Sequence, residues 1–362
     1  MKVFYQSSLD KNSFEAALRS FETDSDIKSI LCFVADVNNG DISYLNEVFR
    51  STSKTIAGGV FPGIIHNSEK KDEGAIFIGL EYEMSLHLAD LNNSDSIYNF
   101  VSDASESPDS EIQTLLVFTD AFAPCKDEFM QSLYDVYGNS VNYLGGGCGS
   151  LEMVSKPVVI TNQGVSANTA VFAQIGKRLS VGCAHGWQEI STPLKITEAN
   201  GNEVLSIDWK PAFSVYKELI NAHSGQEITV DNFFSIAKSY PFGMAKIDSE
   251  FVVRDPIFTN GDSITIVDKI PTGELVYLLN GNEANLLKGA ADAASSAKLN
   301  DLEDLLCIDC ISRVLFLEDN FNKELKAISS TPLTGFLAIG EIANSGNAYL
   351  EIYNKTVVVS QL

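Results

Sequence analysis

The sequence predicts an α/β fold of mixed α+β character, with repeated β-α-β-hairpin units forming mixed sheets flanked by helices, in two domains. Three observations predict it. First, the stretches 30–63, 114–150 and 305–341 share one order of parts. A short apolar run ends near Asp36, Asp120 or Asp309, an amphipathic pattern follows, and a second strand-like run meets Gly58, Gly145 or Gly335. Second, the spacing is nearly constant: Phe33 to Gly58 is 25 residues, while Phe118 to Gly145 and Ile308 to Gly335 are each 27. Third, each stretch continues into two strand-like runs around a short polar turn, read as a hairpin.

The elements follow in chain order. "KVFYQSS" reads as an edge strand, followed by a helix from Asn12 to about Phe21 with Asn12 or Ser13 as its cap. The helical faces of the three units are Ile42, Leu45 and Phe49, then Phe129, Leu133 and Val136, then Phe321, Leu325 and Ile328. A strand-helix-strand unit is a crossover joining parallel strands, so a following hairpin makes each sheet mixed. The hairpins are "AIFIGLEYEMSLHLA", "AVFAQIGKRLSVGCA" and "YLEIYNKTVVVS", anchored at Phe77, Phe172 and Leu350. The loop between the glycine and each anchor varies most in length, which marks one face as the binding face. The acidic stretch 94–111 links the first two units over the surface. A turn at Gly201-Asn202 leads into a helix from about Pro211. Then come short strands between Asp-Ser, Asn-Gly-Asp and Pro-Thr-Gly turns, and an alanine-rich helix, "NEANLLKGAADAASSAK". The polar stretch near 221 divides a domain of residues 1–220, holding units 30–90 and 114–185, from one of residues 221–362, holding unit 305–360.

Composition narrows the function. Lys and Arg number 25 against 48 Asp and Glu, a formal net charge of −23, which repels phosphate backbones and anionic membranes. No apolar run reaches the roughly 18 residues of a membrane span, and the amino terminus lacks a signal-peptide pattern. The six cysteines are scattered, as reduced thiols of a cytoplasmic protein would be. No nucleic acid, membrane, metal or cofactor is expected as a partner.

Candidate site residues cluster at the ends of the strand-like runs. "NYLGGGCGS" puts Gly146, Gly147, Cys148 and Ser150 where crossover sheets form clefts. It lacks the Lys-Ser/Thr and following helix of a phosphate loop, so it either packs a strand end tightly or opens onto a small ligand. Cys148 is a buried thiol or a nucleophile that needs a histidine base. "CIDC" at 307–310 has redox spacing but falls in a strand and reads as core. In "AHGWQ", His185 and Trp187 form either packing or an apolar wall with a polar handle. Arg254, before Asp255 and Pro256, forks onto a ligand carboxylate or locks onto Asp255. Glu341 accepts a ligand ammonium or caps a turn, and with Arg254 it would suit a zwitterion.

These motifs stand in the order of a known family. "GGGCGSLEM", "VFAQIGKRLSVGCAHGWQEI" and "KITEANGNEVLSIDWKPAFSVY" resemble the FIST N-terminal domain. "YPFG", "VVRDPI", "LLCIDCISR", "LTGFLAIGEI" and "YNKT" resemble the FIST C-terminal domain, with Tyr353 and Lys355 standing where that family often has His and Gln. The resemblance implies a sensory module that binds small ligands such as amino acids. It also implies signalling through a partner protein, the chain acting as a free-standing sensor or an adaptor. A hydrolase- or transferase-type enzyme using Cys148 or the Arg254/Asp255 pair stays open, as does a protein-interaction scaffold without ligand.

Overall fold

Apolar strands that carry a glycine lie in the middle of sheets, and a computed structural model places all three repeated stretches there. It describes residues 2–37, 41–106, 111–246, 251–297, 305–344 and 349–362. Three parallel pairs form the sheet centres: Ser29–Ala35 with Thr55–Phe61, Thr114–Asp120 with Asn142–Cys148, and Leu305–Cys310 with Thr334–Ala338. In register, Gly58 faces Cys32, Gly145 faces Val117 and Gly335 faces Cys307. A Cβ on any of these glycines would drive into the carbonyl oxygen of the residue it faces. That close backbone approach is why glycine recurs at this place.

The crossovers are helical as expected, through Asn46–Ser51 in the first unit and Lys126–Tyr137 in the second. The third has two helices, Ile311–Leu317 and Phe321–Ile328, where the sequence predicts only the second. The first of them is too short for its period to stand out.

A third strand joins each pair antiparallel: Ala75–Leu80, Thr169–Ile175 and Val357–Gln361. Register sets Phe77 opposite Cys32, Phe172 opposite Val117 and Val359 opposite Cys307. The third anchor is therefore Val359 and not Leu350. The runs predicted as hairpins around these anchors are strands, but their halves belong to different sheets. Ser85–Asp90 pairs with Thr169–Ile175, and Gly182–Ala184 pairs with Val357–Gln361. Alternating apolar residues predict a strand but not which open edge it takes.

The hairpins lie earlier, inside the variable loops: Ile64–His66 with Glu69–Lys71, Val159–Thr161 with Gly164–Ser166, and Glu341–Asn344 with Glu351–Tyr353. Each crosses to another unit's sheet. The first pairs with Thr334–Ala338, the second with Thr55–Phe61 and the third with Asn142–Cys148. The exchange thus runs in a closed ring, and each sheet has six strands. The sheets meet at Phe33, Phe61, Phe118 and Phe336, with the Phe61 and Phe336 rings stacked at 4.0 Å.

Helices cover the outer faces. Lys11–Glu22 buries Phe14 and Phe21 against Phe77, and its cap is Asp10, whose carboxylate accepts from the Ser13 amide at 3.0 Å. Ile97–Ser105 and Lys126–Tyr137 cover the second sheet, and the alanine-rich Glu283–Ser296 with Phe321–Ile328 covers the third. Lys2–Gln6 takes an edge, as expected. A fourth, nine-stranded sheet is formed by strands between Gln188 and Asn280, under helix Ala212–Ser224. The boundary expected after residue 220 falls within that helix. The Asp248-Ser249 turn and residues 107–110 of the acidic stretch lie outside the described residues. Among the described residues no helix is long and apolar enough to cross a membrane.

Candidate functional site

The ring of exchanged hairpins brings the glycine-rich strand beside the third unit. Gly146 stands opposite Glu341, the Gly147 amide donates to the Gly340 carbonyl at 2.8 Å, and the Gly147 carbonyl accepts from the Ile339 amide at 3.0 Å. These glycines let the strands close up: a Cβ on Gly147 would strike the Ile339 carbonyl. Gly146 and Gly147 therefore build the backbone under the site and offer no open loop. Cys148 is fully buried, its Sγ packed against Gly59. Burial, with the Asp120 carboxylate nearby, pushes its thiol well above the usual range, so it carries no thiolate near neutral pH.

Two residues beyond, at Ser150, the chain opens onto a cavity of about 320 Å³. It lies past the carboxyl ends of all four strands of two parallel pairs. Phe122 follows Thr114–Asp120, Ser150 follows Asn142–Cys148, Ile311 and Ser312 follow Leu305–Cys310, and Ile339 and Gly340 follow Thr334–Ala338. Clefts form at such ends because the connections diverge there. Gly340, at φ +89°, makes the sharp turn that a side chain would resist. Two corners of other strands add polar groups to the lining: Asp255 beside Arg254, and Asn354. Asp255 Oδ2 accepts from the Ser312 hydroxyl at 2.6 Å, and its Oδ1 lies 3.1 Å from Lys355 Nζ. Asn354 donates to Asp268 at 2.6 Å.

The remaining predicted residues lie elsewhere. His185 and Trp187 border a second cavity of about 530 Å³, with Lys246, Phe251 and Lys288. His185 Nδ1 accepts from the Trp187 amide at 2.8 Å, and burial, followed by the Arg313 charge, lowers its pKa to about 4. Arg254 borders a third cavity of about 480 Å³, with Asp268, Lys269 and Glu351. Its guanidinium donates to the carbonyls of Lys269, Val253 and Ile352 and lies 3.6 Å from Glu351, so neither lock on Asp255 nor free fork describes it. Glu341 is fully buried and lines none of these three cavities. Burial, then Asp309, raises its carboxyl well above the usual range, and its Oε2 accepts from the Thr356 amide. The zwitterion clamp of Arg254 and Glu341 is therefore not assembled around any of the three.

Lys355, noted in the sequence only as a departure from the family pattern, and Arg313, which the sequence did not mark, join these places. Lys355 is fully buried: its ammonium meets Asp255 and lies 5.0 Å from the centre of the Trp187 ring. Its carbonyl accepts from Trp187 Nε1 at 3.1 Å and from Arg313 at 2.9 Å. Arg313, also buried, donates to the carbonyls of His185 and Leu286 and pairs with Glu324. One buried polar network thus runs from the wall of the first cavity to that of the second. Its signal in the sequence was an arginine leading into the apolar run 314–317 and a lysine just before the run 357–359, which burial tolerates only when each is paired. Among the described residues no group of three His, Cys, Asp or Glu is placed to hold a metal ion.

The glycine-rich strand, the His-Gly-Trp corner and all of the strand-end cavity's lining except Asn354 fall within two family matches. The FIST N domain matches residues 28–210 and the FIST C domain residues 212–344. No curated protein matches the chain. The two matches cover most of the chain, and the protein belongs to the FIST family of sensory, signal-transduction domains.

Proposed function

We propose that the protein is a sensor that binds a small molecule in the cavity between Ser150, Asp255, Ser312, Gly340 and Asn354, and that it passes the signal to a partner protein. The observation that carries this reading is the convergence of four strand ends from two units on one cavity, with hydrogen-bonding groups set among apolar walls. The Asp255–Lys355 pair offers a route outward, because a ligand that touches Asp255 acts on a lysine that also contacts Trp187. An amino acid or small carboxylate, the ligand expected from the sequence, drew on Arg254 and Glu341, whose side chains are held by internal partners. The thiol of Cys148 has no part in the proposal.

A thermal-shift screen of small molecules against the wild type and an Ile257→Trp variant, which fills the cavity, tests the reading. Compounds that raise the melting temperature of the wild type and not of the variant are expected. Compounds that act equally on both, or none that act at all, would refute it.

A further inference from the structure

The cavity's own hydrogen-bonding groups specify the chemistry of its ligand, on the reading that it is the sensor site. Asn354 is almost fully buried, and both acceptors facing its amide nitrogen are fixed: Asp268 Oδ2 at 2.6 Å and the Tyr353 carbonyl at 3.0 Å. Only the nitrogen can donate to them, so Oδ1 is the remaining atom and can only accept. That Oδ1 is buried and has no hydrogen-bond partner within the protein. Buried acceptors without a donor are uncommon, because the lost hydration is not replaced. The Asp255 carboxylate is an acceptor too, already taking the Ser312 hydroxyl, and the Ser150 oxygen accepts from the Glu152 amide.

The donors are few. Among the described lining residues there is no Lys, Arg or His, and the Lys355 ammonium behind Asp255 is engaged by that carboxylate and by the Lys238 carbonyl at 3.0 Å. The walls are apolar: Phe122, Ile257, Val267, Ile311, Leu315 and Ile339. A free carboxylate brought here would meet no cation and would lie beside a carboxylate and an unsatisfied amide oxygen. An N–H group would meet the acceptors of the lining, the Asp255 carboxylate and Asn354, while its carbon body covers the walls. We propose that the cavity selects a ligand with an N–H donor head on an apolar body and no free carboxylate: an apolar amide or amine.

Titration calorimetry with skeleton-matched compounds tests this. Isovaleramide, isoamylamine, isovalerate and leucine share a branched carbon body and differ at the head, and a benzyl series repeats the comparison for a larger body. Wild-type protein should bind the amide or the amine at least tenfold more tightly than the carboxylate and the amino acid of the same skeleton. Ile257→Trp should abolish that binding, and Asn354→Ala should weaken it about tenfold while circular dichroism confirms the fold. If leucine or isovalerate binds as tightly as its amide and amine, and Ile257→Trp abolishes it, the proposed ligand class is wrong and the sensor reading stands. If the amide or amine binds with undiminished affinity to both variants, or if no compound of either series binds, the proposal is overturned. The sensor reading then rests on the broader screen alone, which fails separately if no compound distinguishes the wild type from Ile257→Trp.

Discussion

His185 shows how one residue serves as packing and wall at once. The sequence offered two readings of its imidazole beside Trp187, and the structure combines them: it holds the Trp187 amide and borders a cavity. Burial and Arg313 lower its pKa to about 4 from 6.5. Between those values the unfolded chain binds a proton that the folded chain refuses. The stability His185 contributes is therefore intact above about pH 6.5 and is lost as pH falls toward 4, by at most about 3 kcal/mol. Glu341 and Asp309 act in the opposite sense, because their carboxyls are raised by burial and favour the fold as pH falls. Urea denaturation of the wild type and of His185→Asn, whose Oδ1 can replace Nδ1 as acceptor, isolates the histidine. The difference in stability between the two should shrink as pH drops from 7 to 4.5.

At the scale of elements, the strand pairs were legible and their partners were not. Gly58, Gly145 and Gly335 announced the units because each meets a carbonyl oxygen of the neighbouring strand. Gly145→Ala is expected to cost about 3 kcal/mol, since the Val117 carbonyl it would strike is backbone and cannot turn aside. Gly225→Ala, at a left-handed helix end with nothing within 4 Å, should cost only about 1 kcal/mol. Denaturant unfolding of both variants checks the contrast. The halves of each predicted hairpin join different sheets because apolar alternation encodes burial on one face and not the identity of a neighbour. Ser150 was legible as a strand end meeting a cleft. Asn354 and Ser312 were not, because a polar residue in a turn or in the first turn of a helix is ordinary until its surroundings are known.

On the scale of the whole molecule, the ring of exchanged hairpins ties the amino-terminal and carboxyl-terminal parts together. Glu341–Asn344 supplies a strand to the sheet of Asn142–Cys148, and Ile64–His66 supplies one to the sheet of Thr334–Ala338. A chain cut to residues 1–210 would leave the glycine-rich strand as a bare, apolar edge. It is expected to aggregate or to unfold without a cooperative transition, whereas the full chain should unfold in one step by circular dichroism and fluorescence alike. Two independent transitions in the full chain would contradict this interlocked construction. The same interlock makes the cavity, since its four strand ends come from two units. A crystal structure of the protein with the strongest-binding compound from the screen tests that claim most directly. Ligand density between Ser150, Asp255 and Asn354 is the predicted result. Density beside Trp187 or Arg254, with the strand-end cavity empty, would contradict it.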